Sequence, residues 1–163
     1  MNEGAASVTL KTTPGKGEEM YPDLMVIPMR EELTRLGIKE LRTAEEVDRA
    51  IANEPGTTMV VVNSICGCAA GRMRPALRMA LQGSSYPDKM YSVFAGQDLD
   101  ATDRARSYFI GYPPSSPSIA FLRAGKLIHM MQRSDIEHRE AVDIAAELKT
   151  VFEKICGKAA QVS

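Results

Sequence analysis

The sequence predicts an α/β domain with a mixed central sheet that helices cover on both faces. Three observations predict this class. Thr57–Asn63 is a β-branched run without polar alternation, as expected of a strand buried on both faces. A helix-like segment and a second apolar run at 90–95 follow it, which makes a β-α-β unit. Two short apolar runs around Ala124-Gly125 then predict an antiparallel hairpin ahead of a final helix.

The segment before this unit predicts a flexible leader and a first helix. Residues 1–19 contain Gly, Thr, Lys and Glu with little apolar content, and we expect them to form the leader. We expect the helix to carry Pro28 in its first turn and to end at Gly37. Its apolar positions recur at helical spacing: Met29, Leu33 and Leu36.

A short strand and a second helix come next. We expect residues 39–42 to form the strand. Thr43 followed by Glu46 has the pattern of a capping box, which predicts that a helix begins there. This helix would end before the Pro55-Gly56 turn. Its inward side chains would be Val47, Ala50 and Ile51.

The second half of the chain continues the alternation. A helix over 69–82 contains Pro75, which should kink it, and a helix over 98–109 follows the strand at 90–95. A proline-rich loop at 111–117 leads to the hairpin strands at 118–123 and 126–131. The last helix should begin near Ser134 or Ile136, end at Cys156 and be capped by Gly157. Its apolar face is Ala141, Ile144, Ala145, Leu148, Val151, Phe152 and Ile155.

Composition limits the classes of function. The chain has 163 residues, which suits one domain, here predicted over 20–158 with a tail at 159–163. The formal net charge of -1 gives no case for general attraction to nucleic acid. No apolar run approaches the roughly 20 residues of a membrane span, and no secretory signal is visible. Three cysteines are too few for a disulfide scaffold, which favours a reducing, cytoplasmic setting.

Cys66-Gly67-Cys68 is the segment that carries chemistry. It follows the buried strand and precedes a helix, where backbone N–H groups and the macrodipole favour a negative charge. No acidic residue occurs between Cys66 and Gly83, whereas Arg72, Arg74 and Arg78 are basic. We therefore expect the pKa of Cys66 to lie below the free value of about 8.5, which favours the reactive thiolate.

The one-residue spacing limits the bond that the two thiols can form. Bridged cysteines need Cα atoms about 4.4–6.8 Å apart, so the chain must bend between Cys66 and Cys68. Gly67 permits such a bend. The small ring should still be strained, which predicts a transient bridge and a weak reductant of stable disulfides.

Other interpretations of these residues stay open at this stage. A C-x-C pair chelates soft metals, and Cys156, His129 and His138 are conceivable further ligands, although no second pair has metal-ligand spacing. The pair could also be a chance occurrence in a buried turn. Cys156 fits a small buried hydrophobe, the two histidines fit a strand residue and a solvated residue, and the arginines fit a solvated helix face.

A longer string around the cysteine pair resembles the bacilliredoxin family, which are bacterial thioredoxin-like proteins with a Cys-Gly-Cys active site. The resemblance covers residues 21–155. It rests on Asn63-Ser64-Ile65-Cys66-Gly67-Cys68-Ala69-Ala70-Gly71, on Arg74-Pro75-Ala76, and on Pro28-Met29-Arg30-Glu31-Glu32-Leu33 with Gly37.

The resemblance implies a thioredoxin-like fold with an N-terminal helical extension. It implies that Cys66 is the attacking thiol and that Cys68 resolves the mixed disulfide or assists. It also places Pro117 as the cis-proline that faces the cysteines, with the backbone of Ser116 open to an extended peptide. Thioredoxin itself has Trp before Cys-Gly-Pro-Cys, whereas this chain has Ile65 and one residue fewer, so ordinary thioredoxin activity is not expected.

The function expected from these residues and this resemblance is thiol-disulfide exchange. The protein would remove a low-molecular-weight thiol, bacillithiol in the best-known members, from mixed disulfides on client proteins. The small thiol would be a co-substrate, and no bound organic cofactor, nucleic acid or membrane is expected. A general disulfide isomerase and a non-enzymatic C-x-C metal-binding module are the alternatives.

Overall fold

The computed structural model describes residues 21–156, and a five-stranded mixed sheet lies at its centre. The strand order is β1-β3-β2-β4-β5. β1, β2 and β3 are parallel, whereas β4 is antiparallel to β2 and β5 is antiparallel to β4. The strands are β1 (Lys39–Glu40), β2 (Thr57–Asn63), β3 (Lys89–Phe94), β4 (Ser118–Arg123) and β5 (Lys126–Met131).

Helices cover both faces of this sheet. A π-helical turn, Ala69–Met73, precedes α3, and a second one, Phe152–Cys156, follows α5. A short 3-10 turn, Arg133–Asp135, follows β5. The α-helices are α1 (Asp23–Thr34), α2 (Ala44–Ile51), α3 (Arg74–Ala80), α4 (Leu99–Arg106) and α5 (Ala141–Val151).

Strand β2 explains why the sequence pattern lacks alternation, because all seven of its residues are buried. Met59 and Val61 pack on the side of α3 and α5, whereas Val60 and Val62 pack on the side of α2 and α4. Successive side chains of a strand point to opposite faces, so both faces of this strand must be apolar. The predicted fold class is confirmed.

The N-terminal helix differs from its prediction in start and in buried face. It begins at Asp23, so Pro28 lies inside the helix rather than in its first turn. Pro28 is exposed, where water can satisfy the carbonyl that a proline leaves unbonded. The buried face is Val26, Arg30 and Leu33, and the turn at Gly37 has the expected positive φ of 88°.

Buried Arg30 ties this helical extension to the sheet. It donates through Nη1 to Asp98 at 2.8 Å and to Glu40 at 2.9 Å, and it lies 5.1 Å above the ring centroid of Phe94. Hydrogen bonds to two carboxylates outweigh the opposing effect of burial and raise the pKa of Arg30, which therefore stays charged. The extension is thus fixed by an ionic cluster.

The predicted start of α2 agrees with the structure, whereas that of the last helix does not. The N–H of Glu46 donates to Thr43 Oγ1 at 3.1 Å, as predicted, while the Glu46 carboxylate accepts from the N–H of Arg42 rather than from Thr43. The last helix begins at Ala141, not near 134–136. Residues 133–135 instead form a separate 3-10 turn, which the Asp135 carboxylate closes by accepting from the N–H of Gln132 at 2.9 Å.

Most of the remaining elements match their predictions. The hairpin turn has positive φ at both Ala124 and Gly125, and a Cβ on Gly125 would lie 2.8 Å from the Ala52 carbonyl oxygen. The irregularity expected at Pro75 takes the form of the π turn just before it. The apolar face of the last helix is confirmed, with Ile144, Ala145, Leu148, Val151 and Phe152 buried.

The predicted leader at 1–19, the Gly157 cap and the tail at 159–163 lie outside the described residues. Within residues 21–156, no helix has the length and apolar character that crossing a membrane requires.

Candidate active site

The Cys66-Gly67-Cys68 segment lies where β2 ends and a helix begins. The carbonyl of Cys66 accepts hydrogen bonds from the N–H groups of Ala69 at 3.0 Å and Ala70 at 3.1 Å, and helical geometry runs on from Gly67. Cys66 is therefore the residue at the helix N-terminus, where the N–H groups of the first turn favour a negative charge. This position is the one the sequence predicts.

Both thiols of the segment are free and partly exposed. Gly67 between them is exposed, has no positive φ, and a Cβ added there would meet nothing within 4 Å. In this dithiol state the bend predicted at Gly67 is an ordinary helical turn. Neither backbone conformation nor crowding requires glycine, so any need for it would arise when the bridge forms.

The pKa of the Cys66 thiol lies below its ordinary value. Partial burial raises this pKa, but the hydroxyl of Ser64, the N–H groups of Ala69 and Cys68, and the positive charge of Arg133 together outweigh burial. The hydroxyl of Ser64 also accepts from the N–H of Cys66 at 3.3 Å. The direction agrees with the sequence prediction, and the helix N–H groups contribute as expected.

Arg133, which sequence reasoning missed, supplies the nearby positive charge. It is an exposed residue of the 3-10 turn after β5, and its Nη1 donates to the Ser116 carbonyl at 3.2 Å. Its pKa is raised by the hydrogen bond to Glu137 and by the charges of Cys66 and Cys68. Only the hairpin register could have found it, since Met131 pairs with Ile119 and brings the turn beside Pro117.

The predicted supporting arginines lie elsewhere. Arg74 is 1% exposed, and its guanidinium donates to Asn63 Oδ1 at 2.8 Å, to the Ser64 carbonyl at 2.9 Å and to Glu32 at 3.1 Å. These hydrogen bonds stabilise the turn that carries Cys66. Arg72 donates to the Arg139 carbonyl and lies 3.9 Å from Glu140, so it joins the helix to the segment before α5.

The loop before β4 lies beside Cys66. The Ser116-Pro117 peptide bond is cis. Because Val62 pairs with Ser118, this bond lies beside the end of β2. The Ser115 carbonyl accepts from Ser118 Oγ at 3.0 Å and from Arg106 Nη2 at 3.3 Å, which fixes the loop against α4.

An open groove of about 330 Å³ runs past Cys66 and Ser116, and we call it the thiol groove. It contains two guanidinium groups, and its described lining includes no carboxylate. Cys68 is not part of the lining. The lining residues are Tyr21, Ser64, Ile65, Cys66, Ala95, Gly96, Arg106, Ser116 and Arg133. The groove admits a small molecule or an extended chain to Cys66.

The side chains considered as metal ligands are dispersed. Cys156 is 7% exposed within the apolar core, the ring of His129 lies 5.9 Å from that of Phe121, and His138 is exposed near Glu137. Across residues 21–156, no group of three or more His, Cys, Asp or Glu side chains is placed to hold a metal ion.

Comparison with known proteins identifies relatives over nearly all of this region. The family model described as disulphide isomerase matches residues 21–156. A bacilliredoxin of Koribacter versatilis is 61% identical over 86% of this chain and 97% of its own length. A bacilliredoxin of Geobacillus kaustophilus is 49% identical over 85% of this chain and 97% of its own. A bacilliredoxin of Salinibacter ruber is 50% identical over 84% of this chain and 82% of its own length.

Solved structures show the same fold at low identity. The thioredoxin of Trypanosoma brucei brucei superposes with a TM-score of 0.51 at 14% identity, over 74% of this chain and 92% of its own. The thioredoxin-like domain of Arabidopsis NCP superposes with a TM-score of 0.52 at 20% identity, over 73% of this chain and 79% of its own. The chain therefore has a thioredoxin fold and belongs to the bacilliredoxin family of thioredoxin-like oxidoreductases.

Proposed function

We propose that this protein removes a low-molecular-weight thiol of the bacillithiol type from mixed disulfides on client proteins. One observation carries the proposal: a Cys66 thiol of lowered pKa lies at a helix N-terminus and lines an open groove. A thiolate is the nucleophile of disulfide exchange, and exposure sets which thiolates react.

The first step transfers the small thiol to Cys66. The Cys66 thiolate attacks the small-thiol sulfur of the client's mixed disulfide. A disulfide forms between Cys66 and the small thiol, while the bond to the client sulfur breaks. The client cysteine leaves with the electron pair as a thiolate and takes a proton from water. Disulfides are conserved in number, so no net oxidation occurs in this step.

The second step frees Cys66 by either of two routes. The Cys68 thiolate can attack Cys66 sulfur, which forms the Cys66–Cys68 bridge and releases the small thiol. Otherwise, a second small-thiol molecule attacks the adduct and leaves as the symmetrical disulfide. The first route requires a dithiol or two monothiols to reduce the bridge afterwards. Cys68 lies in the first helical turn, two residues after Cys66, which suits a resolving role.

The groove explains how a client would be held. Ser116 and the cis-Pro117 bond lie beside Cys66, and we propose that an extended client segment pairs with the backbone there. The thiolated client and the small thiol are then the partners, and the small thiol is a co-substrate rather than a bound cofactor. A reducing cytoplasm suits such a reaction.

Two single variants and intact mass spectrometry test the proposal. Both proteins are offered a client peptide that carries a small-thiol adduct. Cys68→Ser should accept the adduct, seen as a mass increase on Cys66. The rate of transfer to Cys66→Ser should fall by at least about 1000-fold, because a serine hydroxyl is not ionised near neutral pH. A Cys66→Ser protein that still transfers the adduct contradicts the proposal.

A second candidate is isomerisation of disulfides between protein cysteines, which the description of the matching family model favours. Both activities use Cys66, so they differ in substrate. A scrambled two-disulfide protein and a small-thiol adduct should therefore be compared at equal concentration. Faster rearrangement of the scrambled protein than removal of the adduct would favour the isomerase.

A further inference from the structure

Arg106 is a guanidinium with unused hydrogen-bond donors in the thiol groove. It projects from the end of α4 and lines the groove together with Cys66. Of its five N–H donors, one has a described partner, since Nη2 donates to the Ser115 carbonyl at 3.3 Å. Its Nε is buried and has no hydrogen-bond acceptor. Such a group is stabilised when an acceptor enters beside it.

The charges around Arg106 select the kind of acceptor. Burial lowers the pKa of Arg106, and the carboxylate of Asp103, on the same helix, acts in the opposite direction. No ion pair of Arg106 with a carboxylate occurs among the described residues, in contrast with Arg104, which is held by Asp48 at 2.8 Å. Arg133, which pairs with Glu137 at 2.9 Å, also lines the groove and adds a second guanidinium. The groove thus favours an anion close to Cys66.

We infer that Arg106, supported by the charge of Arg133, binds a carboxylate of the small thiol while its sulfur reacts with Cys66. This inference rests on the proposed function and deepens it. A planar carboxylate matches the paired N–H donors of a guanidinium better than a single-point anion does. Binding it there would orient the adduct in the thiol groove and select anionic thiols over neutral ones of equal size.

The test uses two adducts of nearly equal size, of which one carries this charge and the other does not. One client peptide carries N-acetylcysteine and the other carries N-acetylcysteine amide, each through a mixed disulfide. The leaving client thiol is the same in both. For the wild-type protein we expect kcat/KM to be about tenfold higher with the carboxylate adduct, as one charge-assisted hydrogen-bond pair would give.

Arg106→Gln should bring the carboxylate-to-amide ratio close to one, mainly through KM, while the ionisation midpoint of Cys66 stays unchanged. Arg104→Gln, two residues earlier on the same helix, is the matched control and should keep the full ratio. A ratio is taken within each variant, so partial loss of folded protein cancels.

Client peptides with Glu or Gln beside the thiolated cysteine form the second arm, since a client carboxylate has the same chemistry. A preference that follows the client Glu instead of the adduct overturns the inference. Equal efficiency with both adducts in the wild-type protein also overturns it, although the proposed function then stands. Removal of neither adduct by the wild-type protein defeats both.

Discussion

The structure surrounds Cys66 with two regions of opposite character. Behind it, Arg74 is 1% exposed and its guanidinium bonds Asn63, the Ser64 carbonyl and Glu32. In front of it, Arg133 is exposed, pairs with Glu137 and lines the groove with Arg106. The buried arginine fixes the position of the thiol, whereas the exposed arginine changes its charge state. The same residue type therefore affects stability in one region and reactivity in the other.

The largest expected effect is that of Arg74→Met. This change leaves Asn63 Oδ1 and the Ser64 carbonyl without that donor, and we expect the free energy of unfolding to fall by about 3 kcal/mol. Urea unfolding followed by circular dichroism measures it. Arg78→Met, on the exposed side of the same helix, is the matched control and should stay within about 0.5 kcal/mol of the wild type. Equal losses of stability for Arg74→Met and Arg78→Met would contradict a structural role for the buried arginine.

Arg133→Gln should alter reactivity with little change in stability. Loss of this cation raises the pKa of Cys66, so less thiolate is present at neutral pH and alkylation slows by about 2- to 5-fold. The rate should recover as pH rises, because the thiol then ionises without help. Added salt should weaken the difference. Arg35→Gln, which breaks a similar exposed pair with Glu31, is the control and should not move the profile.

Glu137→Gln should give the smallest effect and the opposite sign. It removes the carboxylate that partly neutralises Arg133, so the pKa of Cys66 should fall further. Alkylation below the midpoint should speed up by less than about twofold. Glu45→Gln, at the start of α2 on the other face of the sheet, provides the comparison. A slower rate for Glu137→Gln would mean that Glu137 acts by orienting Arg133.

The sequence alone is sufficient for the mixed-sheet class of the fold and for the position of the thiols. The unalternating run at Thr57–Asn63 and the Ala124-Gly125 turn depend on local patterns, which periodicity and turn chemistry predict. The sequence predicts too late a start for helix α1, because Pro28 is tolerated inside the helix on its exposed side. The sequence also predicts too early a start for the last helix, because the Asp135 carboxylate accepts from the N–H of Gln132 and closes a separate turn.

The surroundings of Cys66 required the fold. Arg72 and Arg74 are close to Cys66 in sequence, yet the guanidinium of Arg74 points behind the turn and that of Arg72 toward Arg139. Arg133 is distant in sequence and reaches the site only because β5 returns antiparallel to β4. Charge proximity along a helix is thus a poor guide to which cation faces a thiol, since side-chain direction depends on tertiary packing.

The lowered pKa of Cys66, caused by its position at the helix N-terminus and by Arg133, underlies the proposed chemistry. The most direct measurement is the rate of Cys66 alkylation by iodoacetamide against pH, in the Cys68→Ser protein. We expect a midpoint below the free-cysteine value of about 8.5. A midpoint at or above that value would contradict it.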